Sequence, residues 1–126
     1  MSDRVAAQEE LLGISVDAHP LELVADRIAA AGAISTLEAA EQVGSRVRVA
    51  GMRLSGRRSR TAKGEMMAFL TLEDLEGMLD VVVFPDAYRR SRAALSGSGP
   101  YLVEGSMVAD PGRAEPLLHA ERVEKL

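Results

Sequence analysis

None of the 126 residues is cysteine. Disulfide scaffolds, cysteine zinc sites and thiol nucleophiles are therefore excluded. No apolar run approaches the ~20 residues of a membrane span. The start, Met1-Ser2-Asp3-Arg4, leads into a mixed polar segment and not an apolar signal core. A soluble cytoplasmic protein without membrane contact is expected. Tryptophan is also absent, and the aromatic residues are only Phe69, Phe84, Tyr88 and Tyr101. There is no serine–histidine–acid spacing, no phosphate-binding P-loop and no paired carboxylates in a pocket context. The only histidines, His19 and His119, stand a hundred residues apart without an evident third ligand. Catalysis, cofactors and bound metal are not expected.

What the chain has in quantity is apolar residues, 47% of the total. A chain of this length hides well over half of its unfolded surface, so one cored domain with a short appendage is expected. The net charge of −4 conceals an asymmetry. Residues 1–44 carry two cations and eight anions, and residues 65–126 carry six cations and eleven anions. Between them, residues 45–64 carry seven cations and no anion: Arg46, Arg48, Arg53, Arg57, Arg58, Arg60 and Lys63. A local block of this kind says more about partners than the total does.

The first third reads helical and acidic. Gln8 to Gly13 suits a glycine-closed helical turn, and His19-Pro20 breaks the chain with Pro20 placed to open a helix. Leu21, Val24, Ala25, Ile28 and Ala29 follow helical spacing, and Gly32 is a stop. Ser35 or Thr36 caps a second short helix over Leu37 to Gln42, with Glu38 placed for a capping box.

After Gly44 the period changes to two. Arg46 to Met52 alternates, Val47 and Val49 on one face and the arginines on the other. Gly56 to Gly64 is polar and basic and reads as a loop. Met66 to Glu73 and Met78 to Phe84 read as strands joined by a turn at Glu73 to Gly77. Asp86 is placed to cap a helix from Ala87 to about Leu95. Tyr101 to Val108 and Leu117 to Val123 are two further strands, with a turn at Asp110-Pro111-Gly112. The order strand, strand, strand, helix, strand, strand is that of the OB fold, a five-stranded Greek-key barrel. A mainly β chain is thus expected, with a helical appendage over residues 1–43 and an OB barrel over residues 44–126.

OB barrels bind oligonucleotides on strands 2–3 and on the 1–2 and 4–5 loops. Arg53, Arg57, Arg58, Arg60 and Lys63, in or beside the 1–2 loop, are placed to meet phosphates. Alternation puts Ala68, Leu70 and Leu72 in the barrel and turns Met67, Phe69 and Thr71 outward. In the next strand Leu79, Val81 and Val83 go in, while Asp80, Val82 and Phe84 face out. Phe69 is the expected stacking ring and Phe84 a second one, against the alternative that either is buried. Tyr88 is expected to pack on the barrel and Tyr101 to be structural. Glu73, Asp74 and Glu76 could ligand a metal ion, but Asp-x-x-Gly is ordinary turn chemistry. So few rings imply weak binding, about micromolar or weaker.

The run Val47-Arg48-Val49-Ala50-Gly51, the run Thr61 to Asp74, then Gly77 and Asp80-Val81-Val82-Val83-Phe84-Pro85, closely resembles the OB domain near the C-terminus of bacterial DNA polymerase III alpha subunits. Glu10-Leu11-Leu12-Gly13 and Ala18-His19-Pro20-Leu21 resemble the segment before it. The resemblance implies engagement of single-stranded template DNA ahead of a polymerase active site. It also implies a barrel shared with the anticodon-binding domains of aspartyl-type tRNA synthetases. There, a phenylalanine matching Phe69 stacks on a base, and a base-contacting polar position matches Asp80. The polymerase catalytic domains are not among these residues, which read as a fragment of such a subunit or a short relative, not as an enzyme. The partner expected is single-stranded DNA. RNA on the same face, or docking onto a replication protein, are the alternatives. Oligomeric state is left open.

Overall fold

The computed structural model describes residues 24–97 and 99–126. The expected features at Gln8–Gly13, His19-Pro20 and Leu21 lie outside these. The element order is α1 (Ala25–Ala31), α2 (Thr36–Ala40), β1 (Arg46–Arg60), β2 (Met66–Glu73), β3 (Met78–Val83), α3 (Pro85–Leu95), β4 (Tyr101–Val108) and β5 (Leu117–Lys125). The strands close into a barrel in the order β1-β2-β3-β5-β4, antiparallel except for β3 with β5. This is the OB fold, with its helix between the third and fourth strands. Among the described residues no helix is long and apolar enough to cross a membrane.

The core follows strand alternation. Val47, Val49, Ala68, Leu70, Leu72, Leu79, Val81 and Val83 point inward and are buried. Tyr101, Val103, Met107, Leu118, Ala120 and Val123 complete the filling from β4 and β5. Tyr101 is fully buried and its hydroxyl donates to the Gly97 carbonyl, so this ring is structural. Tyr88 packs partly buried against the core. Gly105 lets β4 and β5 approach closely: a Cβ there would lie 2.0 Å from the His119 carbonyl oxygen.

The largest departure from expectation is β1. It does not end at Met52 but runs to Arg60. From Arg46 to Gly51 it pairs with β4, and from Met52 to Arg60 with β2. A bulge between Arg53 and Ser55 re-aims it at the handover. The stretch Gly56 to Arg60 is therefore strand, and the turn is confined to residues 61–65. There Gly64 takes φ +82° and the Thr61 hydroxyl accepts from the Lys63 and Glu65 amides. The sequence hid this strand because neither of its faces is apolar, so period-two reading had nothing to register. A ladder needs only backbone groups.

Helix ends differ in smaller ways. Gly32 closes α1 with φ +71°, as expected of a left-handed cap. Ser35 caps α2, its hydroxyl accepting from the Glu38 amide at 3.0 Å, and the helix spans Thr36–Ala40 rather than Leu37–Gln42. In α3 the capping position is Phe84, without a side-chain bond, and Pro85 opens the helix. Asp86 lies in the first turn and pairs with Arg89 instead of capping. Proline at the first helical position lacks only an N–H that would be orphaned there anyway. The buried Ser91 hydroxyl accepts from the Val123 amide and fastens α3 to β5.

Asp74 is more than a turn residue. One carboxylate oxygen accepts from the Glu76 and Gly77 amides at 2.9 and 3.0 Å, closing the β2–β3 turn. The carboxylate also accepts from the Thr36 amide at 2.7 Å and the Thr36 hydroxyl at 2.8 Å. The short α2 is thus pinned to the barrel, and Ile34 adds a bridge to Val49 on β1. Asp74→Ala is expected to cost about 1–2 kcal/mol of stability, read as a lower denaturation midpoint at unchanged m-value. Gly105→Ala should cost about 3 kcal/mol by the same measurement, because backbone rather than a movable side chain meets the new methyl group.

Candidate nucleic-acid interface

The outward face of β2 and β3 carries Met67, Phe69 and Thr71 beside Asp80 and Val82. The ladders set Phe69 between Arg57 on β1 and Val82 on β3. Phe69 is half-buried, and the Arg57 guanidinium carbon lies 4.3 Å from its ring centroid. That is cation–π contact, attraction between the cation and the negative face of the ring. Thr71 donates its hydroxyl to an Asp80 carboxylate oxygen at 2.9 Å. Arg113, from the β4–β5 loop, pairs with the other Asp80 oxygen. Arg57, Phe69, Thr71, Asp80, Val82 and Arg113 line one open cleft of about 430 Å³.

Arg113 and His119 were not found by sequence reading. Arg113 is the only cation in the β4–β5 loop, and its relevance depends on a loop closing over a strand from elsewhere in the chain. The Asp110 carboxylate, accepting from the Gly112 amide at 3.0 Å, shapes that loop. His119 stands on β5, and its ring meets Phe84 edge-on with centroids 5.2 Å apart. Phe84 is 45% exposed and Phe69 lies in a different part of the face. Val82 points outward as expected yet is only 5% exposed, flanked in the ladder by Phe69 and His119.

The seven-cation block is divided by the fold. Arg46 pairs with Glu121 and Glu104, and Arg48 with Glu104. The hydrogen bond from Arg46 holds the Glu121 carboxyl below the usual carboxylate range. Arg60 donates to the Gly64 carbonyl at 2.8 Å and steadies the turn that carries Lys63. Arg57 stands with Phe69. Arg53 and Arg58 alternate to the other side, opposite Leu72 and Ala68 in the ladder. So Arg57, Phe69 and Thr71 share a cleft, while Arg53, Arg58, Arg60, Lys63, Met67 and Phe84 do not line it. Of the acidic trio, Asp74 spends its carboxylate on four hydrogen bonds.

Comparison with known proteins agrees with the fold. Residues 46–126 match the model of an OB-fold nucleic acid binding domain, the tRNA anti-codon family. DNA polymerase III subunit alpha of Bacillus subtilis is 34% identical over 113 residues, covering 90% of this chain and 10% of the polymerase subunit. An error-prone DNA polymerase of Rhodopseudomonas palustris (strain HaA2) is 33% identical over 127 residues, covering 98% of this chain and again 10% of that protein. The chain thus spans about a tenth of the length of these relatives. Among solved structures, asparaginyl-tRNA synthetase of Pyrococcus horikoshii superposes with a TM-score of 0.56 at 25% identity, covering 75% of this chain and 22% of the synthetase. A barrel of OB topology, a half-exposed ring on its second strand and a family match over all five strands lead to one assignment: the chain belongs to the OB-fold nucleic acid binding domain family.

Proposed function

We propose that this chain binds single-stranded DNA as an accessory module without catalysis of its own, inside or beside a DNA polymerase. The observation that carries the reading is the Phe69 ring, half-exposed and topped by the Arg57 guanidinium in an open cleft. A base of any identity stacks on such a ring or on the guanidinium plane lying over it, and the arginine contributes charge toward phosphate. The similarity to polymerase subunits supports DNA over RNA. Residues 44–126 are the binding unit in this reading. Residues 1–43 are an appendage, whose described part is held at the β2–β3 end through Thr36 and Asp74.

Asp80 bears on the strength of binding. A bare carboxylate beside the stacking ring would repel phosphate. Here Arg113 neutralises it and Thr71 orients it, so the cleft is tolerant of a polyanion.

A second reading, docking onto another replication protein, draws on the exposed side chains of Leu37, Leu75 and Met78 around α2 and the β2–β3 turn. A titration separates the two. Fluorescence anisotropy with labelled oligo-dT should give a dissociation constant of about micromolar with a clear salt slope. Phe69→Ala should weaken it by about 1–3 kcal/mol. Absence of binding at low salt would favour docking, and stronger binding of RNA of the same sequence would favour an RNA partner. Arg113→Ala should also weaken binding, by about tenfold, because it uncovers the Asp80 charge as well as removing a cation. Adding Asp80→Asn to that variant should restore most of the loss; an unchanged affinity in the double variant would sink this role for the pair.

A further inference from the structure

We propose a second phosphate-binding cleft, between the far half of β1 and α3, that takes backbone phosphates of the same strand after it rounds the free edge of β1 at Gly56. This extends the Phe69 reading and rests on it.

The cleft has a volume of about 650 Å³ and lies across the β1–β2 ribbon from the Phe69 ring. Arg53 and Arg58 enter it from β1, and Arg92, more than thirty residues further along the chain, is brought there from α3 by the packing of helix on barrel. Tyr88 and Ser96 of the α3 side add polar groups. No aspartate or glutamate lines the cleft. Among the described residues, none of Arg53, Arg58 and Arg92 has a carboxylate within ion-pair distance. By contrast, Arg46, Arg48, Arg89, Arg113 and Arg122 all do. Three guanidinium groups around one hollow repel one another, and an anion seated between them reverses the sign of that field. Guanidinium is the side chain best shaped for phosphate, which it meets with two parallel N–H donors.

Two features connect this cleft to the stacking face. Both clefts are lined by Gly56, Arg57 and Leu70, so they adjoin around β1. The pairing of β1 with β4 stops at Gly51, so beyond that residue this edge carries no neighbouring strand. Gly56 is also where a side chain would intrude. A Cβ there would lie 2.9 Å from a Leu70 methyl and 3.3 Å from the Arg53 Cδ, displacing the groups that shape the passage. The competing explanation is that the arginines merely guard an open edge against pairing with another chain, a common use of charge on edge strands.

The test compares a short oligo-dT of about four nucleotides with a long one of about sixteen, across a salt series. The variants are Arg58→Ala/Arg92→Ala, its Arg58→Lys/Arg92→Lys counterpart and Phe69→Ala. Both arginines are exposed, and a thermal melt verifies that each variant folds. The double alanine should weaken the long oligomer by about tenfold, reduce its salt slope by about one and leave the short oligomer unchanged. The double lysine should keep the slope, whereas Phe69→Ala should weaken both lengths. Unchanged affinity of the double alanine for the long oligomer overturns the second cleft, and the Phe69 reading then stands or falls on Phe69→Ala alone. Inorganic tripolyphosphate, followed by arginine side-chain NMR, gives the remaining arm. Binding of it that depends on Arg92, without any effect of the double alanine on the long oligomer, would make the cleft a small-polyanion site and overturn the strand path. Failure of the wild type to bind either oligomer overturns both readings.

Discussion

The structure depends on a single strand serving two partners. This barrel closes through β1, which pairs with β4 over Arg46–Gly51 and with β2 over Met52–Arg60. Its first half completes the seam with β4, where Val47 and Val49 are buried. Close packing at Gly51, where a Cβ would lie 3.1 Å from the Glu73 carbonyl oxygen, and the bulge at Arg53–Ser55 turn it toward β2. Its second half rides on β2 with an open edge, and the unpaired arginines gather there. Closure of the core and display of charge are consequences of the same geometry.

That geometry divides the cations by what they meet. Arg46 and Arg48, on the half that closes the barrel, face Glu104 and Glu121 across neighbouring strands. Such exposed pairs contribute little stability, but they leave little field for a distant anion. The later arginines have β2 on one side only, and β2 offers Met66 to Leu72, a run without a carboxylate. Their charge stays available to an incoming polyanion. Arg57 and Phe69 are directly opposite in the ladder, so ring and cation are set by register and not by a loop conformation. Preorganised contacts of this kind lose less side-chain entropy when a ligand arrives.

Asp80 illustrates how neighbours change the meaning of a residue. Read alone, an aspartate on the binding face opposes phosphate. In the folded chain it shares a hydrogen bond with Thr71 and an ion pair with Arg113. The pair also tethers the β4–β5 loop across the face, giving the cleft its second wall. Asp74 does similar work in the turn of the β2–β3 hairpin, where one carboxylate joins a turn to a helix.

The sequence by itself determined the barrel. The inward rows of β2 and β3, and the limits of β2 and β4, follow from alternation of apolar residues, because burial of one face is what makes a strand visible in a sequence. It also determined that Phe69 points outward, since parity leaves no other choice once Leu70 and Leu72 are inside. Only the tertiary structure decided that Gly56 to Arg60 is strand and not loop, because a ladder of backbone bonds with two polar faces has no side-chain signature. Only it sorted Arg57 from Arg53 and Arg58, and brought Arg113 to Asp80 and Arg92 to Arg58. Those neighbours are tens of residues apart along the chain, and pairing over such distances is set by barrel closure and by the packing of α3, which local spacing does not encode.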